Sequence, residues 1–382
     1  MSDRWRILAL LFAVRTSMAF QFESVGALGP VVRDTLGIGL PQLGLLIGLY
    51  LSPGLILAIP AAGLGRRFGD KRCVMAGMAL MIAGGLVMAL IPAFGAQVTG
   101  RLMAGFGGVV LNVLMTKMVT DWFSGREIAT AMGIYVNSWP FGIAIALFVM
   151  PSIAGVVGLQ GAYLVAAAAT AAGLMLLTRY RAPEDAQVVA HGGAMPQGRA
   201  LAAIVVAGLI WGLFNGAVSM VFSFGNSVLA ERGWTLAAAG AATSLALWFS
   251  VVSVPLGGLL ADRIGRHAVV LVGGCLGSAV MLAVAGHTGV VWPAFALLGL
   301  VWGLPAGPIM GLPARVLTVR TRAAGMGIFW TMFYLIVVTA PWIGGRISAE
   351  AGTVRAAFDL GVAMLLLACG FYALFVRLVR VA

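Results

Sequence analysis

The chain has 382 residues, of which 61% are hydrophobic and 9% charged, whereas about a quarter of the residues in soluble domains are charged. This composition excludes a soluble protein and indicates a polytopic membrane protein, and the long continuous apolar runs exclude a β-barrel. The net charge of +12 does not indicate nucleic-acid binding, because the basic residues lie in short loops between apolar spans. Three cysteines at unrelated spacings predict neither a metal site nor disulfides.

The first apolar stretch, residues 6–32, is long enough to cross a bilayer but carries Arg15, Gln21 and Glu23 in its interior. An ionised group at membrane depth costs at least about 2.5–3.5 kcal/mol, so we expect these side chains to face a water-filled path. The N-terminal sequence predicts an uncleaved first helix rather than a signal peptide. Eleven further spans are predicted at 42–64, 73–93, 96–118, 128–150, 156–178, 200–228, 236–259, 268–286, 290–314, 323–345 and 356–378.

The distribution of basic residues predicts how the chain is oriented. If the N-terminus is cytoplasmic, 18 of the 24 Lys and Arg residues fall in cytoplasmic segments. This bias predicts a bacterial-type inner-membrane protein with both termini in the cytoplasm. The longest hydrophilic stretch, 179–199, is predicted to be a cytoplasmic linker between two six-helix bundles, 1–178 and 200–382.

Two pairs of similar segments indicate an internal repeat. The loop after helix 2 matches the loop after helix 8 when Gly69 is placed on Gly265, an offset of 196 residues. Residues 131–135 (AMGIY) match residues 325–329 (GMGIF) at an offset of 194. Parallel repeats of this kind predict a substrate site near the bilayer midplane, between the halves.

The loop segments resemble a known family. Residues 258–267, GLLADRIGRH, resemble the motif G-x-L-A-D-R-x-G-R-K of the major facilitator superfamily, and 62–72 resemble a degenerate copy. The segment RLMAG at 101–105 is similar to the family's R-x-x-Q-G element, with Ala104 where Gln is usual, whereas the antiporter element of helix 5 is absent. The resemblance covers the whole chain and implies an all-α membrane protein with twelve transmembrane helices in two pseudo-symmetric six-helix bundles. The first helix is also similar to the cyanate/nitroimidazole-type permease branch.

The loop motifs are candidates for a conformational latch. An Asp there can accept hydrogen bonds from a neighbouring helix N-terminus, and we expect Asp262 to hold the start of helix 5 in an outward-facing state. The alternative, that the motif only forms a tight turn and anchors positive charge, stays open. In the first copy Arg66 takes the usual Asp position and Asp70 a basic one. The candidate latch residues are Arg66, Gly69, Asp70, Asp262, Arg263, Gly265 and Arg266.

Polar and aromatic residues in the spans are candidates for substrate binding. The resemblance implies that helices 1, 4, 7 and 10 line the cavity. Arg101 and Asn112 are eleven residues apart and share one face of helix 4. Helix 10 is rich in Gly and Pro, which predicts a bend. The candidate binding residues are Arg15, Gln21, Arg101, Asn112, Trp211, Asn215, Ser219, Trp302, Trp330 and Tyr334.

The charged residues suggest a coupling mechanism. Arg15 and Glu23 lie about 12 Å apart along a helix and cannot pair directly. Glu23 and Arg101 both fall in the outer half, so we expect them to pair across the cavity, with Gln21 as a neighbouring partner. A purely structural ion pair is the open alternative. The hypothesis is that Arg15 binds substrate, Arg101 alternates between Glu23 and substrate, and Glu23 carries the coupling proton.

These features predict a secondary active transporter of a small, anionic solute, coupled to protons and working by alternating access. It is expected to be a monomer, to need no cofactor or metal, and not to be an enzyme. No Walker loop is present, so direct use of ATP is not expected. Two alternatives stay open: a proton-coupled exporter of hydrophobic or cationic compounds, and a non-transporting sensor on the same scaffold.

Overall fold

The computed structural model describes residues 3–57, 60–123, 127–183, 194–318 and 320–380, without the side chains of residues 61, 62, 66, 129, 323 and 380. The protein is 87% helical, and the described residues contain no strand. Residues 184–193 of the predicted linker and the side chain of Arg66 lie outside this description.

The chain divides into two compact units. The first comprises Met1–Ile38 and Leu46–Val189, and the second comprises Gly39–Leu45 and Ala190–Ala382. The short segment Gly39–Leu45, at the start of the second predicted span, therefore groups with the C-terminal half. The linker boundaries at 179 and 199 stay predictions.

The helices before the linker are α1 (Asp3–Ala27), α2 (Gly29–Leu36), α3 (Leu40–Leu49), α4 (Gly54–Leu57), α5 (Pro60–Phe68), α6 (Asp70–Leu90), α7 (Phe94–Phe123), α8 (Ile128–Val136) and α9 (Ser138–Leu177). Those after it are α10 (Gly198–Glu231), α11 (Leu236–Ile264), α12 (His267–His287), α13 (Val291–Trp302), α14 (Ala306–Met310), α15 (Arg322–Ala351) and α16 (Ala356–Arg380), with a 3₁₀ turn at Pro313–Arg315.

Twelve membrane crossings follow from these helices. Eleven helical segments of the described residues are long and apolar enough to span a bilayer. One of them, Thr130–Leu177, has 48 residues and is interrupted at Gly158, whose φ of 71° and ψ of −179° are not helical. Because Gly158 divides this segment into two crossings, the prediction of twelve transmembrane helices in two six-helix bundles is confirmed.

The internal repeat is visible in packing, whereas the aligned loop glycines differ in conformation. Gly69 and Gly265 both have a positive φ, 87° and 66°, which Gly adopts at little cost. Their ψ angles are 133° and 11°, so only Gly265, at the end of α11, has the left-handed helical conformation, while Gly69 precedes α6 in a different one. Within each unit the first long helix packs on later ones: α1 on α9, and α10 on α15 and α16.

Three spans are broken in mid-course. The second is interrupted by a turn between α3 and α4, the fifth at Asn137, and the tenth between Trp302 and Ala306. Proline follows or lies in each break, at Pro53, Pro140 and Pro305, and proline cannot supply the helical N–H donor. The predicted bend of helix 10 is therefore present.

Close helix packing in the first unit depends on glycine. α6 packs extensively on α7, and Gly77 and Gly107 face each other where the two helices meet, since a Cβ built on Gly107 overlaps the carbonyl oxygen of Gly77. Small residues at such crossings let backbones approach closely in lipid.

Gly107→Ala is accordingly expected to destabilise the first unit, by about 1–3 kcal/mol as for other overpacked sites. The measurement is thermal stability of the purified protein in detergent, followed by size-exclusion chromatography. Gly95→Ala, on the same helix but with no atom within 4 Å of its Cβ position, serves as the control. An unchanged melting temperature for Gly107→Ala would contradict the packing argument.

Candidate substrate-binding site

Arg15 lies at a junction of three helices of the first unit. Its Nε donates to Oδ1 of Asn112 on α7, at 3.1 Å, and its Nη1 donates to the carbonyl oxygens of Tyr135 and Val136, at 3.2 and 3.3 Å. These two carbonyls end α8, at the break in the fifth span. The side chain is largely buried, with 8% of its surface exposed. The structure thus fixes the guanidinium orientation from α1, α7 and α8 together.

Two aromatic rings lie against the same guanidinium. Cζ of Arg15 is 4.7 Å from the ring centre of Tyr135 and 5.9 Å from that of Trp139. Ring faces within about 6 Å attract a cation. An amide, two carbonyls and two rings therefore contribute to positioning Arg15.

Tight packing of α1 on α9 keeps this junction together. A Cβ at Gly142 lies 2.5 Å from the carbonyl oxygen of Thr16 and 2.7 Å from Cβ of Ala19, so a larger residue would force the helices apart next to Arg15. Gly142 belongs to the segment that carries only a fragment of the antiporter element. Its evident role here is close approach.

Arg101 occupies a different environment, in the interior of the first unit. It is 1% exposed, and it donates from Nε to the carbonyl of Leu46 (2.9 Å), from Nη1 to that of Phe22 (2.8 Å) and from Nη2 to that of Ile47 (3.3 Å). Its Cζ also lies 4.8 Å from the ring centre of Tyr50. Arg101 therefore joins α7 to α1 and to the end of α3.

The expected ion pair between Glu23 and Arg101 is not formed in this structure. No salt bridge of 4.0 Å or less joins them among the described residues, and the described hydrogen bonds of Arg101 all go to backbone oxygens. Glu23 is 1% exposed, and its Oε1 has no hydrogen-bond partner in the described part of the chain. The direct pair is thus a wrong prediction for this conformation, while the proton-coupling role of Glu23 stays a prediction.

Gln21 does not pair with Glu23 in this structure. Its Nε2 donates to the carbonyl of Met81 at 2.8 Å, so it joins α1 to α6. Together with Ser24, Arg101 and Tyr163 it lines a small internal pocket of the first unit. A role for Gln21 in substrate binding stays a prediction.

Three candidate binding residues, Trp211, Asn215 and Ser219, form a polar stripe on α10 in the second unit. Asn215 donates from Nδ2 to the carbonyl of Trp211 at 2.9 Å, and Ser219 donates to that of Gly216 at 2.6 Å. Both side chains thus bond within their own helix. The indole N–H of Trp211 is buried without an acceptor among the described residues, so it is the unsatisfied donor of the stripe.

Trp211 belongs to an aromatic cluster of the second unit. Its ring is nearly parallel to those of Phe214 and Phe333, with centres 5.7 and 6.3 Å away. Trp330 stands edge-on to Phe333 at 5.2 Å, and Tyr334 contacts both. The structure therefore brings the predicted residues Trp211, Trp330 and Tyr334 into one cluster. Trp302 is not part of this cluster and lines a separate small pocket of the second unit together with Ser278 and Leu298.

The two loop motifs make different contacts. Asp70 binds Nζ of Lys117 at 2.7 Å, and Lys117 also binds Asp121 at 2.7 Å, so the first copy is engaged within its own unit. In the second copy, Asp262 is exposed and its Oδ1 is 3.8 Å from Nε2 of His267. Arg263 and Arg266 are exposed as well, and the latch function of either copy stays a prediction.

Sequence reasoning missed the aromatic and backbone groups around the two arginines. Tyr135 and Trp139 are not among the candidate residues, yet both contact Arg15. Tyr50 is not a candidate either, although it lies against Arg101. The available signal was Pro140, which marks a helix break one turn after Val136.

The fold and these sites are those of a membrane transporter, and comparisons with known proteins give the family. The family model of the Major Facilitator Superfamily matches residues 10–230, and the chain belongs to this family. Its members are transporters, so the prediction that the protein is not an enzyme is confirmed. The protein is thus a multi-pass membrane protein that acts on small molecules.

Individual relatives differ in how much of the chain they match. The 2-nitroimidazole transporter of Escherichia coli is 26% identical over 97% of this chain and 95% of its own length. The choline/ethanolamine transporter FLVCR2 of Homo sapiens is 25% identical over 151 residues, which are 39% of this chain. The match spans only 29% of the length of that protein. A bacterial homologue of the lysosomal transporter Spinster has the same fold, with a TM-score of 0.81, 15% identity and coverage of 99% of this chain and 98% of its own.

The bonding of Arg101 predicts a structural role for this side chain. Arg101→Met should lower the melting temperature in detergent, because the three hydrogen bonds to the carbonyls of Phe22, Leu46 and Ile47 are lost, and a hydrogen bond from a charged group contributes about 1.5–3 kcal/mol. Arg101→Lys should also melt well below wild type, since one ammonium group lacks the planar fork of donors that a guanidinium has. Glu23→Gln leaves these bonds in place and should melt close to wild type. Equal destabilisation by Arg101→Met and Glu23→Gln would instead indicate an ion pair.

Proposed function

We propose that the protein is a secondary transporter that moves a small anionic solute across the inner membrane by alternating access, coupled to protons. Both termini are placed in the cytoplasm, in line with the distribution of basic residues, and the transporter works as a monomer. The observation that carries the proposal is the environment of Arg15. It is held by the amide of Asn112 and by two carbonyls, which fix the orientation of its guanidinium at the junction of three helices.

The chemistry of an arginine at membrane depth supports an anion as the solute. The planar guanidinium matches a carboxylate or a similar anion, and such charge-assisted hydrogen bonds are about twice as strong as neutral ones. Buried ionisable groups in spans are costly and commonly mark a transport pathway. Among the relatives, the hexuronate transporter of Bacillus subtilis, 22% identical over 144 residues, is named for a sugar acid.

The aromatic cluster of the second unit supports a second candidate, an exporter of uncharged or cationic ring compounds. Trp211, Phe214 and Phe333 present nearly parallel rings, and the buried indole N–H of Trp211 is available to an acceptor. A planar ring with an acceptor would suit this cluster, and the E. coli relative is named for such a ring, 2-nitroimidazole. The contribution of Trp211, Asn215 and Ser219 to anion binding stays a prediction.

Glu23 supports proton coupling. It is the one acidic residue among the buried side chains of the described spans, and a carboxyl group is the side chain that commonly relays protons within membrane transporters. Its Oε1 makes no hydrogen bond to the described residues. In the proposed cycle Glu23 takes up a proton on one side of the membrane and releases it on the other.

The charge of Arg15 can be tested without removing it. Asn112→Asp places a carboxylate at the position of the amide that now bonds Nε of Arg15, and the resulting ion pair should weaken binding of an anion by at least about tenfold, roughly 1.4 kcal/mol. Binding of benzoate and of its neutral isostere benzamide is measured on the purified protein by calorimetry, alongside other small acids paired with their amides.

Two comparisons complete this test. Asn112→Ala removes the bond but adds no charge, so it should weaken acid binding less than Asn112→Asp, and Arg15→Ala should abolish it. Binding of the amides should respond to none of the three changes. If wild type binds the amides as well as the acids and Asn112→Asp affects both equally, the anion proposal is wrong and the ring-compound exporter is favoured.

Coupling is tested by separating net transport from exchange. In proteoliposomes with an imposed pH gradient, Glu23→Gln should lose proton-driven accumulation of the bound acid, because no proton can be exchanged at this position. Counterflow, in which solute exchanges for solute without net proton movement, should persist. Glu350→Gln, an exposed carboxylate paired with Arg346, is the control. Full accumulation by Glu23→Gln would rule out this coupling assignment.

A further inference from the structure

The break in the fifth span lacks one helical hydrogen bond for a covalent reason. In an α-helix the N–H of residue i donates to the carbonyl of residue i−4, so the carbonyl of Val136 would be served by residue 140. That residue is Pro140, which has no N–H. The next donor is normal, because the N–H of Phe141 reaches the carbonyl of Asn137 at 3.1 Å. The missing donor therefore affects a single carbonyl.

Arg15 supplies the donor that Pro140 cannot. Its Nη1 lies 3.3 Å from the carbonyl oxygen of Val136 and 3.2 Å from that of Tyr135, so one nitrogen spans both carbonyls at the end of α8. Bonds to the carbonyl end of a helix are favourable for a cation, since that end carries partial negative charge. The freed carbonyl and the incoming guanidinium are thus complementary.

We propose that Pro140 is a positioning residue for substrate binding: by leaving the carbonyl of Val136 without a backbone donor, it reserves that oxygen for Arg15. The proposal rests on the proposed function in so far as Arg15 is the group that binds the anion. With an N–H at residue 140, the backbone would compete for the carbonyl, and the guanidinium would lose one of its three described acceptors. A less constrained side chain binds more weakly, because its orientation must be fixed again on binding.

Pro140 also suits a substitution test. It is the third residue of α9, and Ala is the better helix former, so Pro140→Ala is expected to fold and to melt no lower than wild type. Affinity for benzoate should nevertheless fall by about three- to tenfold, the loss expected for one hydrogen bond. A purely structural proline would not separate stability from affinity in this direction. Pro151→Ala, in the same helix, is the control and should leave affinity unchanged.

A double-mutant cycle on stability tests the inference without any substrate. In the wild-type background, Arg15→Ala leaves the carbonyl of Val136 without a donor and should lower the melting temperature. In the Pro140→Ala background the new N–H serves this carbonyl, so the same Arg15→Ala change should lower the melting temperature clearly less. Additive effects of the two substitutions would overturn the inference, whatever the binding assays give.

The two proposals fail in different experiments. Two results together support the inference. The stability effects of the two substitutions are coupled, and Pro140→Ala lowers the affinity for benzoate only when Arg15 is present. Coupling without any effect of Arg15→Ala on the binding of acids refutes the anion site, and with it the role of Pro140 in binding, but leaves the hydrogen-bond relation between the two residues established. If Arg15→Ala abolishes benzoate binding but Pro140→Ala leaves the affinity for benzoate unchanged, the anion site stands and only the positioning role of Pro140 is refuted.

Discussion

A backbone carbonyl that loses its helical donor inside a membrane must find another, because no water is available in the hydrocarbon and an unsatisfied group costs several kcal/mol. The first unit meets this constraint twice with arginine. At the break of the second span, the N–H of Leu51 turns to the carbonyl of Gly48, and Arg101 donates to that of Ile47. At the break of the fifth span, Arg15 donates to that of Val136. Two charges that are unexpected in apolar spans thus bond to backbone carbonyls at two helix breaks of the first unit.

The same rule acts at the ends of helices in the second unit. Arg232 donates to the carbonyls of Ala285, Gly286 and Thr288, at the end of α12. Its neighbour Glu231 accepts from the N–H of Val354, just before α16. Each charge has the sign that complements the helix end it binds. Burial lowers the pKa of Arg232, with the charge of Arg355 adding to the effect. Two adjacent residues at the end of α10 therefore bond to two other helices: Arg232 to the C-terminus of α12 and Glu231 to the residues just before α16.

The sequence was sufficient for the fold and for the importance of the first helix. Apolar spans, loop charges and the Gly69/Gly265 repeat predicted twelve helices in two halves, and both glycines have a positive φ, although their ψ angles differ. The partners of the arginines could not be predicted in the same way. Charge counting pairs Arg101 with Glu23, whereas the guanidinium takes backbone oxygens from α1 and α3. Hydropathy does not show which backbone carbonyls lose their hydrogen-bond donor at a helix break. A proline shows this, because the carbonyl four residues before it has no N–H to accept from.

The difference between the two arginines decides which of them a solute can use. Arg101 is 1% exposed and joins three helices through bonds to backbone oxygens, so moving it toward a substrate would break three buried hydrogen bonds at once. Arg15 is 8% exposed and is bonded partly to a side chain, Asn112, which can rotate with it. The two are linked through rings: Trp139 lies against Arg15 and, with centres 4.9 Å apart, against Phe22, whose ring lies 5.5 Å from Arg101. Under the proposed function, a displacement of Arg15 on binding an anion would press on the ring that borders Arg101, and Arg101 is bonded to the end of α3. By this path a solute at Arg15 could act on the broken second span without Arg101 ever contacting it.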